Sequence, residues 1–129
     1  MKRAVLTVIL GVIVAAVPTY AHHSFAAEYF EDQKVSIEGE LVDFEYRNPH
    51  AWVHVMVRDE HGDMQKFSAE WAGATRLKQG GVTADTLKVG DRLVIAGAPG
   101  RNAAEHRLHL KAIERPADGW KWAGRSGPR

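Results

Sequence analysis

Five segments that alternate apolar and polar residues, with one short helical segment between the third and the fourth, predict an all-β domain: a five-stranded OB-like barrel with one short helix. A third observation supports the barrel. Leu87-x-x-Gly90-Asp91-x-Leu93-x-Ile95-x-Gly97 reads as a tight turn feeding an alternating strand, the pattern that opens the fourth strand of many such barrels. The alternative is a small antiparallel β-sandwich.

The elements follow in order. Residues 1–21 read as a signal peptide: the basic head Met1-Lys2-Arg3, an apolar run of about 14 residues from Ala4 to Val17, and small residues (Thr19, Ala21) at the −3 and −1 positions of a cut after Ala21. That run is shorter than the roughly 20 apolar residues that span a bilayer, so cleaved export is expected, with no stable membrane span after cleavage. An uncleaved anchor is the alternative. Residues 22–33, beginning His22-His23-Ser24-Phe25, read as an arm lying over the domain, and residues 34–115 as the barrel.

Lys34 to Tyr46 is a long first strand. Val35, Ile37, Gly39 and Leu41 share one parity, whereas Val42, Phe44 and Tyr46 share the other, so a bulge or sharp coil is expected near Leu41-Val42 in a strand serving two sheets. Asn48-Pro49 is a turn, and His50 to Arg58 the central strand. Residues 59–63 form a hairpin tip, and Met64 to Trp71 returns with Phe67, Ala69 and Trp71 on one side. Gly73 to Gln79 suits a short helix stopped by Gly80-Gly81. Arg92 to Ala98 and His106 to Arg115 are the last two strands. Residues 116–129 read as a flexible tail, with Trp120 and Trp122 available to dock back.

The central strand divides its residues between two faces. Ala51, Val53, Val55 and Val57 form an apolar core row, while His50, Trp52, His54, Met56 and Arg58 form an unusual outer row with two imidazoles and an indole. That outer row is either covered by the chain or used for binding.

Composition narrows the options. The chain of 129 residues has no cysteine, which excludes disulfides, zinc-thiolate and blue-copper sites, and a thiol nucleophile. Cleavage would remove Lys2 and Arg3 from the 17 basic residues, leaving about as many as the 16 acidic ones, and this balance argues against a nucleic-acid partner. No phosphate loop, nucleophile elbow or matched carboxylate pair is visible, so the chain is not expected to be an enzyme.

Seven histidines remain, and histidine is the commonest metal ligand. His50 and His54 share a face, but four residues of strand set them roughly 13 Å apart, too far to grip one ion together. His106 and His109 have opposite parity in a regular strand, and His61 in the hairpin tip reads as solvated. After cleavage at Ala21, His22 would offer an α-amine and an imidazole as a two-nitrogen clip, which His23, His50 or His54 would complete. An all-nitrogen set of this kind suits copper(II) best and zinc next. The other expectation is a small-ligand or protein-interaction module, with Trp52, Phe44, Tyr46 and Trp71 as an aromatic platform and a periplasmic protein as partner.

Ala21-His22-His23-Ser24-Phe25, Asn48-Pro49-His50-Ala51-Trp52 and Leu87-Lys88-Val89-Gly90-Asp91 with Gly97 resemble a family of small exported bacterial proteins of unknown function. The likeness covers roughly His22 to Pro116. It implies periplasmic or secreted placement and a small β-barrel, but no activity, and the family's recurring histidines fall on His22, His23 and His50. One departure stands out: the family often has a capping pair such as Ser-Pro before the helix, where this chain has Gly73-Ala74-Thr75.

Overall fold

The computed structural model describes residues 25–125. Strand β1 (Val35–Glu45) is long enough to pair with two partners. Its first half runs antiparallel to β4 (Arg92–Pro99) and its second half antiparallel to β2 (Trp52–Arg58), with Glu40 paired to both. A strand shared in this way must coil, and two features permit it. Gly39 lies so close to β2 that a Cβ would strike the Met56 carbonyl oxygen. Beyond it, the register slips between Leu41 and Asp43, which is the bulge that the parity switch predicts. Val42, at 39% exposed, is the extra residue pushed outward and not a member of an inward row with Phe44 and Tyr46.

β2 turns back into β3 (Met64–Glu70) through a polar tip in which Asp59 accepts from the backbone N–H of both His61 and Asp63. Helix α1 (Ala74–Gln79) follows, then β4 and β5 (Arg107–Arg115). Ser68 to Glu70 pair in parallel with Arg107 to His109, and this contact closes the sheet order β3-β2-β1-β4-β5 back onto β3. The remaining named pairings are antiparallel. The result is a closed five-stranded barrel with a helix between the third and fourth strands. The expected OB-like barrel is therefore the fold, and the sandwich is not.

Of the expected core row, Val53 and Val55 of β2 and Ala51 just before it are fully buried against Leu41, Ala69, Leu93, Ile95 and Leu108, whereas Val57 is only partly buried. Each fully buried valine, leucine or isoleucine side chain contributes about 1.5–3 kcal/mol, and this row is one part of a buried cluster drawn from all five barrel strands and the helix.

Helix α1 is capped from a distance. Gly73, its N-cap residue, has no side chain to offer, but the Asn48 side chain accepts from the Thr75 backbone N–H at 3.2 Å and donates to the Thr75 hydroxyl at 3.0 Å. Glycine is required at position 73 because a Cβ would strike the Pro49 carbonyl oxygen; this accounts for the absent capping pair. The Asn48-Pro49 bond is cis.

Two expectations about the end of the chain are corrected. β5 begins at Arg107, because His106 adopts a left-handed backbone (φ 48°) that ends a short 3₁₀ turn, Ala103–Glu105. The tail is not free over its whole length: Trp120–Ala123 forms β6, paired to the part of β5 that β3 leaves uncovered. Arg115 fixes the turn by binding both Asp118 and Asp91, and Trp120 and Trp122 pack against the core. Among the described residues no helix is long and apolar enough to cross a membrane.

Candidate functional site

The amino-terminal segment lies over the barrel where β3 meets β5. Residues 25–28 form one helical turn, after which Tyr29 bridges to Gly100 and the Phe30 N–H donates to the Pro99 carbonyl at 2.9 Å. Phe25 is thereby laid flat on His109, with ring centroids 3.7 Å apart and planes 3° from parallel, and its ring lies 5.1 Å from that of His50. His22 and His23 lie outside the described residues.

Beneath this arm, Glu70 organises a polar hub. Its carboxylate accepts from the Tyr29 hydroxyl at 2.7 Å, faces His50 Nδ1 at 2.8 Å and lies 3.5 Å from Arg107 Nη2, which itself donates to the Tyr29 oxygen at 3.1 Å. Tyr29 is wholly buried and Glu70 nearly so, and a buried carboxylate is tolerated only when partnered in this way. Burial pushes the Tyr29 phenol well above its ordinary pKa, and its donation to Glu70 pushes it further. Burial opposes charge on Arg107, but Tyr29, Glu70 and Glu105 outweigh it and raise its pKa.

The same arrangement recurs at His109, whose Nδ1 faces the Glu31 carboxylate at 2.6 Å. Burial holds this imidazole below its ordinary pKa, so at pH 7 the ring is neutral, Nδ1–H donates to Glu31, and Nε2 keeps its lone pair. For Glu31, burial works to raise the pKa, but hydrogen bonds from Lys111 and His109 win and lower it. Neither His50 Nε2 nor His109 Nε2 has a partner among the described residues. An imidazole tethered through Nδ1 to a carboxylate, with Nε2 open, is the usual state of a metal-ligating histidine.

His54 stands apart from this group. Its Nδ1 lies 2.7 Å from the Ser68 hydroxyl and its Nε2 2.8 Å from Glu45, whose carboxylate this contact holds below the usual range. Trp52 runs parallel to it at 6.3 Å and lies beneath the Arg107 guanidinium at 5.2 Å. His54 therefore belongs to a different cluster from His50, as the strand spacing predicts.

The aromatic platform is not assembled. Trp71 is fully buried, and Phe44 and Tyr46 pack inward beside it, Tyr46 tying its hydroxyl to the Ala74 and Val82 carbonyls. Only Trp52 of the four belongs to the outer row. His106 stacks on Phe67, and His61 sits in the exposed tip. Sequence reasoning weighed His109 only by its strand parity and did not single out Glu31, Tyr29 or Ser68, because their partners lie on other elements.

Barrel closure, strand order and helix position define an OB-like β-barrel protein, extended by one strand and an amino-terminal arm. Over residues 9–109 the chain matches the family described as a family of unknown function (DUF6152), and it belongs to that family. Among curated proteins none matches. Solved structures similar to it include the mitochondrial single-stranded DNA binding protein Rim1 of S. cerevisiae, at 13% identity and a TM-score of 0.47, covering 64% of this chain and 91% of that one. A small single-stranded DNA-binding protein from Streptomyces coelicolor matches at 17% identity and a TM-score of 0.42, covering 64% and 90%. One expectation is corrected here. Near-neutral net charge does not by itself exclude a nucleic-acid partner, because such binding depends on how charge and aromatic faces are distributed over the surface and not on the net sum. Both of these solved structures are described as single-stranded DNA-binding proteins.

Proposed function

We propose that this is an exported, periplasmic or secreted, non-enzymatic metal-binding protein. Cleavage after Ala21 would leave His22 as the first residue, and its α-amine and imidazole, with His23 and His50, would form an all-nitrogen site that prefers copper(II) and takes zinc next. The observation that supports this reading is the Phe25 ring between His50 and His109. Three residues of chain reach at most about 11 Å, so the first residue of a chain cut at Ala21 would lie no farther than that from an anchor that touches His50. The tether of His50 to Glu70 supports it too, and His109 is a further neutral imidazole beside the same arm. A ligand platform has less support, because three of its four aromatic residues face inward.

The test is a copper(II) titration of the chain beginning at His22, followed by electron paramagnetic resonance, beside a variant with one extra residue before His22. A nitrogen-rich signal that the extension abolishes and His50→Ala weakens is expected. Equal, weak binding by all three would remove the reading, as would mass spectrometry of the exported protein showing a different first residue.

A further inference from the structure

β1 and β2 carry a second set of ligating atoms on their outer faces. Beyond the bulge at Val42, Asp43 pairs with His54, and Glu45, two residues on, shares its side of the strand. One carboxylate oxygen each from Asp43 and Glu45 and one nitrogen of His54 all lie within 4.8 Å of one another. Two carboxylates on a solvated strand would be unremarkable. Here the third member is an imidazole with a side chain only 13% exposed, held at its far nitrogen by the Ser68 hydroxyl at 2.7 Å. A hydroxyl can accept as readily as donate, so when a cation displaces the Nε2 proton Ser68 can accept a hydrogen bond from Nδ1–H, leaving the Nε2 lone pair on the carboxylate side. Beside the three donors opens a groove of about 360 Å³ lined by Glu45, Trp52, His54, Ser68, Glu105 and Arg107.

We propose that Asp43, Glu45 and His54 form a divalent cation site distinct from the amino-terminal one, with Ser68 as the positioning residue behind His54. One imidazole and two carboxylates give a harder donor set than a cluster of nitrogens, so the site suits a zinc-class ion, and its margin in favour of copper is smaller than that of the amino-terminal cluster. Three protein ligands leave a coordination position open, and the groove gives that position room for water or a small exogenous ligand. A serine-nucleophile reading of the same residues is weaker. The Ser68 backbone N–H, which would be needed to stabilise an oxyanion, is spent on the His106 carbonyl at 3.0 Å.

The experiment is equilibrium dialysis of zinc(II) against the full chain carrying His22→Ala and His23→Ala, with the ring nitrogens of His54 followed by NMR. One zinc should bind and shift the His54 nitrogens. Adding Asp43→Asn with Glu45→Gln should weaken binding on the order of 100-fold, and adding Ser68→Ala on the order of 10-fold, with the urea midpoint unchanged. Unmoved His54 nitrogens, or undiminished binding in the Asp43→Asn, Glu45→Gln chain, would overturn the proposal. So would a loss of all zinc binding on removing His22 and His23 alone, and that result would leave the amino-terminal reading intact.

Discussion

His50, just before β2, and His54, on the outer row of that strand, lie four residues apart, and each meets a carboxylate at 2.8 Å, yet the two pairs are built differently. Glu70, the partner of His50, has a side chain 11% exposed and is also held by Tyr29 and Arg107, whereas Glu45, the partner of His54, is 37% exposed. The burial of the carboxylate separates the two stations. A buried acid must be satisfied at all times and becomes part of the fold; an exposed one is satisfied by water and can be given up to a ligand.

The strongest way to break this contrast is Glu70→Ala. It leaves the Tyr29 hydroxyl, His50 and one side of Arg107 without an acceptor beneath the arm, and should cost about 3–5 kcal/mol in urea unfolding. A cost no larger than that of an ordinary surface substitution would show that the hub does not hold the arm. Tyr29→Phe removes one hydroxyl from the same hub and should cost about 1.5–3 kcal/mol, the value of a hydrogen bond to a charged group.

Acid should sharpen the contrast next, because the arm side carries groups whose pKa values folding depresses. His109 is lowered by burial, so as pH falls below its ordinary value near 6.5 the unfolded chain takes up the proton first and stability begins to fall. Glu31 is also lowered, so its contribution is complete above its ordinary value of 4.5 and is lost as pH falls through the folded value. Urea midpoints should therefore decline in two stages on acidification, and His109→Asn should remove the first. A midpoint flat from pH 7 to 5 in the unaltered protein would contradict the assignment of His109 as buried and neutral.

The hub and the outer cluster were not equally visible in the sequence. The barrel was legible because alternation and the Gly90-Asp91 turn are local signals, and the parity switch marked the bulge without showing that Val42 is its extra residue. An inserted residue shifts the count of every position after it. The hub was invisible: Tyr29 and Glu70 are 41 positions apart, and Tyr29 gives no sign of its partner until β3 and β5 close. The Asn48 cap, 27 positions from Thr75, was missed for the same reason, and β6 because four alternating residues need the uncovered edge of β5 to become a strand. Asp43 was passed over because nothing local ties it to His54, which lies on the next strand. The register slip turns it toward His54.

The smallest expected effect is the most telling for the comparison. Glu45→Gln keeps the size of the side chain and a hydrogen-bonding oxygen beside His54 and removes only the charge. Glu45 is open to water, so its attraction to His54 and to the nearby Arg47, 3.9 Å away, is screened. The hydrogen bond from His54 lowers the Glu45 pKa, so whatever stability this gives is present at pH 7 and lost as pH falls through the folded value. The urea midpoint of Glu45→Gln at pH 7 should therefore stay near that of the unaltered protein, and the small remaining difference should vanish in 1 M salt or in acid, as roughly expected of a screened surface pair. If instead Glu45→Gln cost as much as Glu70→Ala, His54 and Glu45 would be structural in the same sense as His50 and Glu70. The outer cluster would then have no charge to spare for a cation.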